Sequence, residues 1–195
     1  MIVAVCIVLG VSLRLACGRP FTELAEARLR GEVLLLVLLV AQVAAPSLHL
    51  SGSLARVAFW GWLSTFPMMA AIAWFNRRQP GMVVLGTGLA LNFTVIAANG
   101  GMPVFSVAAA AVRGPLATVV ISASDFVHVL GGAATRLPWL ADALPLPGPI
   151  WLRALASPGD ILLFVGIVSF VALATATDSR LSRATSRNLK SRVED

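Results

Sequence analysis

The stretch Val57-Ala58-Phe59-Trp60-Gly61-Trp62-Leu63-Ser64-Thr65-Phe66-Pro67-Met68-Met69-Ala70-Ala71-Ile72-Ala73-Trp74-Phe75 holds no charged side chain. A helix needs about 17–25 largely apolar residues to cross the hydrocarbon core of a bilayer, where its backbone polar groups must be satisfied internally. Trp60 and Trp62 stand near one end of this stretch, and Trp74 and Phe75 near the other, the spacing expected of aromatic belts at the two interfaces. Pro67 is expected to bend the helix. Four further stretches have similar character: 2–17, with Arg14 able to snorkel, 33–50, 81–98 and 158–177. The expected fold is therefore all-α, a polytopic membrane helical bundle of five transmembrane helices. Residues 1–177 form the membrane domain and 178–195 a basic cytoplasmic tail.

Composition points the same way. Hydrophobic residues make up 58% of the 195-residue chain and charged ones 12%, against roughly 45–50% and about 25% in soluble domains. The 15 Lys and Arg exceed the 9 Asp and Glu. These bases flank apolar runs instead of forming a stripe with interleaved aromatics, so they indicate orientation in a bilayer and not a nucleic-acid partner. With five spans and the N-terminus outside, the inner regions hold 11 bases and the outer regions 4. Residues 116–134 are long enough to add a sixth span, but the split then falls to 8 against 7, so the positive-inside rule favours five. The arginine-rich, alanine-rich composition fits a bacterial inner (plasma) membrane. Cys6 and Cys17 would lie roughly 16 Å apart on one helix, too far for a disulfide.

Residues 99–157 form the one sizeable segment outside the spans. They are too apolar for a free loop and are expected to form an outer cap of short or re-entrant helices packed on the bundle. Gly131, Gly132 and the Leu144-Pro145-Leu146-Pro147 run should break these helices into pieces joined by extended connections. On the inner side, Glu26 and Arg30 have helical i, i+4 spacing, which predicts a short surface helix. In the tail, Arg180, Arg183, Arg187 and Lys190 recur at intervals of three, four and three residues. If helical, they form one basic face for anionic headgroups.

No Asp, Glu, Lys or Arg lies inside the predicted spans away from their ends, which argues against a pump or an ion-coupled transporter. Gln42, Ser64, Thr65, Asn92 and Thr94 can supply polar contacts between helices. The candidate outer polar site is Asn99, Asp125, His128, Asp142 and Asp160. Asp125 and His128 are three residues apart and share a face on a helix, as an acid-base pair or a structural hydrogen-bonded pair would require. His49 is also expected at the outer face. Asp142 has no obvious partner beyond a turn or Arg136. Ser157-Pro158-Gly159-Asp160 reads as a capping box that starts the last span. Nucleophile motifs, phosphate loops and zinc signatures are absent, so no catalytic residue, cofactor or metal is expected.

Asn99-Gly100-Gly101-Met102-Pro103-Val104, His128-Val129-Leu130, Thr135-Arg136-Leu137-Pro138-Trp139-Leu140-Ala141-Asp142 and Ser157-Pro158-Gly159-Asp160 together resemble an uncharacterised bacterial integral membrane family, catalogued as domain of unknown function 5317. The resemblance covers nearly the whole chain and implies a neighbour in fold without an activity. Two readings follow. In the first, the protein is a membrane scaffold or accessory protein, with the lipid bilayer, anionic lipids included, and another membrane protein as partners. In the second, it is a membrane-embedded enzyme or lipid-handling protein with a polar site at its outer face.

Overall fold

The computed structural model of the protein describes residues 2–48, 50, 52–113, 127–146 and 154–175. It is mostly helical. Five apolar helices dominate: α1 (Ile2–Ala16), α3 (Glu32–Ala44), α4 (Gly52–Phe75), α5 (Met82–Asn99) and α7 (Pro158–Leu173), with α2 (Phe21–Ala25) and α6 (Ser106–Arg113) as short additions. By length and composition α4 and α5 can cross a membrane, whereas α1, α3 and α7 are apolar but shorter. Three boundaries differ from expectation, the first being that α7 stops at Leu173 and not at 177. Helix α4 begins five residues early and takes in Arg56, while α3 stops at Ala44 and tightens into a 3-10 turn containing Pro46. Large apolar side chains are left outside the core, among them Val3, Val5 and Val8 on α1 and Val33, Leu36, Val40 and Val43 on α3.

Glycines decide which helices approach closely. Gly81 caps the start of α5 and Gly88 sits two turns along from it, while Gly159 and Gly166 lie two turns apart on α7. Gly81 faces Gly166 and Gly88 faces Gly159, so the two helices run antiparallel. A Cβ on Gly88 would lie 2.6 Å from the Gly159 carbonyl oxygen, and one on Gly166 would lie 2.7 Å from Leu85 Cβ. Only hydrogen fits there, and the backbones gain close-range packing. Gly10 of α1 meets Val171 in the same way, and Arg14, one turn on, reaches Ala174, so α1 runs parallel to α7. At the other side Gly31 lies against Ile72, and Gln42 donates to the Trp62 carbonyl and to Thr65 Oγ1, which sets α3 antiparallel to α4. The neighbour order is α1, α7, α5, α4, α3.

The core gathers Leu38, Trp62, Leu63, Phe66, Met69, Leu89, Val95, Ile96, Met102 and Leu140. Trp62 corrects the belt reading. It is buried edge-on against Phe66, at 5.2 Å between ring centroids, while Trp60, Trp74 and Phe75 are exposed.

The described part of 99–157 differs from the expected cap of helices. It holds the single helix α6 and four short strands: β1 (Met102–Val104) pairs in parallel with β2 (His128–Leu130), and β3 (Leu144–Leu146) antiparallel with β4 (Ala154–Ala156). Prolines explain the difference. Met102, Leu144 and Leu146 each precede a proline, which pushes them out of the helical region into extended backbone. The extended connections anticipated there are thus paired. Val104 also bridges to Asp142, tying the two halves of the cap at one point.

At the far end of the bundle the expectation that Arg14 snorkels fails. Its side chain is fully buried, and its guanidinium donates to the carbonyls of Pro20, Val171, Ala172 and Ala174 at 2.7–3.4 Å. Glu23 lies 3.5 Å away. Arg19 donates to the Leu173 carbonyl and Gln79 to that of Thr175. The last turn of a helix leaves four carbonyls without partners and carries the negative end of its dipole. Arg14 and its neighbours meet both needs, which a charge drawn out to the headgroups could not. The predicted inner surface helix is likewise displaced. Helix α2 ends before Glu26, and the i, i+4 pair is Arg19 with Glu23 at 3.7 Å, not Glu26 with Arg30.

Candidate functional site

Asn99 is the last residue of α5, which Gly100 stops in the left-handed conformation at φ 72°. The Asn99 amide donates to the Val95 carbonyl one turn back and to the Arg136 carbonyl, both at 2.8 Å, and its oxygen accepts from the Arg136 amide at 2.8 Å. The side chain therefore imitates a strand and holds the loop. Leu137 follows at φ 54°, the one described non-glycine residue with positive φ, a conformation costing on the order of 1–3 kcal/mol that its surroundings must over-determine. Asn76, just past α4 at the opposite end, makes the same clamp: it donates to Ile72 and Arg30 carbonyls and accepts from the Arg30 amide. Asn99 is a fastening point.

Asp160 has a second local task. The Ser157 hydroxyl accepts from the Asp160 amide while an Asp160 oxygen accepts from the Ser157 amide, both at 3.0 Å, the reciprocal capping box read from the sequence. The box is closed by α5. Asn92 donates to the other Asp160 oxygen at 2.7 Å, and its own oxygen accepts from the Ser157 hydroxyl at 3.0 Å. Ser157 and Asn92 are both buried. Gly159 makes this possible, since a Cβ there would collide with the Asn92 amide.

His128 and Asp142 are brought together across 14 residues of sequence, with Nε2 to Oδ2 at 3.6 Å. The Asp142 side chain is 8% exposed and that of His128 is 35% exposed. Asp142 lies against the cap backbone, its amide donating to the Pro103 carbonyl at 3.0 Å. Its Oδ1 is buried without a hydrogen-bond partner. Burial, and then the negative charge of Asp160, push the Asp142 carboxyl up to about 8. Asp142 therefore pairs with His128 and not with Arg136. Asp125 and His49 lie outside the described residues. Of the five residues singled out from sequence, His128 and Asp142 meet, Asp160 adds its charge to them, and Asn99 serves a separate clamp. Among the described residues no group of three His, Cys, Asp or Glu is placed to hold a metal ion.

Two features escaped sequence reasoning. The burial of Arg14 has no local signal, because three of its four carbonyl partners come from residues 171–174. The His128–Asp142 contact follows from β1 pairing with β2 on one side and bridging to Asp142 on the other, which no spacing encodes.

A family model described as a family of unknown function (DUF5317) matches residues 26–172. The chain belongs to this family. The match runs from the end of α2 to the last turn of α7, so both polar clusters of the cap and the glycine-faced pair α5 and α7 lie within the family's domain, whereas α1 and Arg14 precede it. The chain is also similar to an uncharacterized protein of Thermotoga maritima, at 31% identity over 123 residues, which is 61% of this chain and 67% of that relative. No solved structure matches.

Proposed function

We propose that the protein is a five-span bacterial inner-membrane protein acting as a scaffold or accessory protein, whose cap and apolar helix faces bind lipid or another membrane protein. The observation that carries this reading is the alternation of α1, α3, α4, α5 and α7 in direction, each apolar along its middle, with polar side chains collected at both ends. In this arrangement α1, α3 and α7 span with about 20–24 Å of helix at 1.5 Å per residue. The bilayer thins around them or flanking residues extend them, at modest cost. The Arg14 end faces the cytoplasm, and the cap with Asn99, His128, Asp142 and Asp160 faces outward, in line with the 11 to 4 division of bases. The tail bases Arg180, Arg183, Arg187 and Lys190, which lie outside the described residues, rest on anionic headgroups in this scheme.

Most polar groups of the cap are spent on main-chain partners: Asn99 on Arg136, Asp160 on Ser157. That supports fastening over catalysis, which would call for their convergence on one reacting point. Reporter fusions after Asp195 and near Pro147 test the topology. They should report opposite sides, with the C-terminal one cytoplasmic; agreement between the two sinks the five-span arrangement.

A further inference from the structure

We propose that Asp142 and His128 form a proton-binding site at the foot of the cap, with one proton held between the buried carboxyl and the imidazole. The geometry leaves little else for that carboxyl to do. Its Oδ1 is enclosed and accepts nothing, and its Oδ2 looks only to His128 Nε2. No Arg or Lys among the described residues pairs with it. The Asp142 backbone is held by the Pro103 carbonyl and bridged to Val104, which fixes the point from which the carboxyl projects. An ionised carboxylate in that position would be a desolvated charge with an empty lone pair, which costs several kcal/mol and is relieved by taking up a proton.

The groups around it act in the same sense. From α7, Asp160 bears on the site by its charge and has both oxygens already engaged by Asn92 and Ser157, so it offers the carboxyl no donor. From β2 comes His128, and β1 contributes only Met102, Pro103 and Val104, none of them titratable. The 3-10 turn Pro138–Leu140 adds no charge. Because the His128 side chain is one-third exposed while Asp142 is enclosed, the imidazole is the route by which the proton exchanges with solvent. The raised affinity of Asp142 for its proton, noted above, agrees with this placement.

Release of the proton then has a mechanical consequence. Since the folded protein binds the proton more tightly than an unfolded chain does, folding is favoured at low pH, and that advantage is lost as pH rises from about 4 to about 8. The stress falls on the Val104–Asp142 bridge, so the cap loosens on the alkaline side while the glycine-packed bundle holds.

The test uses the full-length protein in lipid nanodiscs with carbon-13 in the aspartate carboxyls, of which the chain has five. One carboxyl should titrate well above the others, and that signal should vanish in Asp142→Asn, whose neutral isostere keeps the cap closed at every pH. His128→Gln, which removes the second base that holds the shared proton and puts an amide donor beside the carboxylate, should lower the midpoint by about threefold or more in proton affinity. If all five carboxyls titrate together near pH 4 in the unsubstituted protein, or if a late-titrating signal survives Asp142→Asn, the site does not exist. An unmoved midpoint in His128→Gln would overturn the pairing.

Discussion

The two ends of α7 are built from opposite chemistry. At its start, Ser157 and Asp160 present oxygens to free backbone N–H groups and Asn92 braces both side chains; at its finish, Arg14, Arg19 and Gln79 present donors to free carbonyls. Each choice suits the partial charge of that helix end. The ends share a device as well, since Asn76 and Asn99 clamp Arg30 and Arg136 by the same three hydrogen bonds. What differs is the remainder. Every polar contact described at the Arg14 end terminates on main chain or on Glu23, whereas the cap end leaves one enclosed carboxylate oxygen over. Saturated polar groups at a helix end indicate closure, and a leftover one indicates a place where something exchangeable binds.

Substitutions can break this contrast, and the largest effect should come from the bundle that joins the two ends. Gly81→Ala places a Cβ against the Gly166 backbone at a position with φ 79°, adding overpacking to left-handed strain for about 4 kcal/mol in all. Gly61→Ala, which meets nothing within 4 Å, should leave stability unchanged or slightly improved. Unfolding of both variants in detergent measures the difference, and equal stability would remove the glycine-packing account.

Next comes Arg14. Arg14→Met keeps the volume but leaves buried carbonyls of α7 without donors, at about 3 kcal/mol, while Arg14→Lys keeps the charge without the fork and should recover only part. Hydrogen exchange at the end of α7 should rise in the order wild type, Lys, Met. A Met variant as protected as wild type would mean that lipid or water serves those carbonyls equally well.

The smallest effect separates the two clamps. Asn76→Ala, at a buried site, should cost about 2 kcal/mol, and Asn99→Ala, whose bonds to Arg136 are exposed, about 1 kcal/mol. Loss of Asn99 should speed exchange around Leu137 and leave the bundle alone. If Asn99→Ala instead unfolds the helices, the cap is part of the core and not a separate layer.

Much of this was legible because it is local. Apolar runs between charged flanks located α1, α3, α4, α5 and α7, and Ser157-Pro158-Gly159-Asp160 announced its capping box, since period and caps depend on residues within a turn or two. The glycines of α5 and α7 stood in plain view, but their partnership did not, as facing stripes are defined only once both helices are placed. Pairing of the extended segments was hidden for the same reason. Proline told that Met102, Leu144 and Leu146 are extended, yet strand partners lie at distances no spacing fixes. Trp62 misled because an aromatic near a helix end fits a belt and a core equally well, and only the neighbouring Phe66 decides.

The placement of α1 has a consequence for how the chain is assembled. Helix α1 is made first and α7 last, and α7 is the neighbour on which α1 packs closely. Until residues 171–174 emerge, Arg14 can reach only the Pro20 carbonyl and Glu23, and the α7 carbonyls that complete its set of partners do not yet exist. Arrival of α7 supplies those carbonyls and joins α1 to the row of helices by a charge-bearing latch. A chain halted before that point leaves Arg14 short of three of its four carbonyl partners and α1 without the helix it packs on, a mark of incompleteness open to proteolysis.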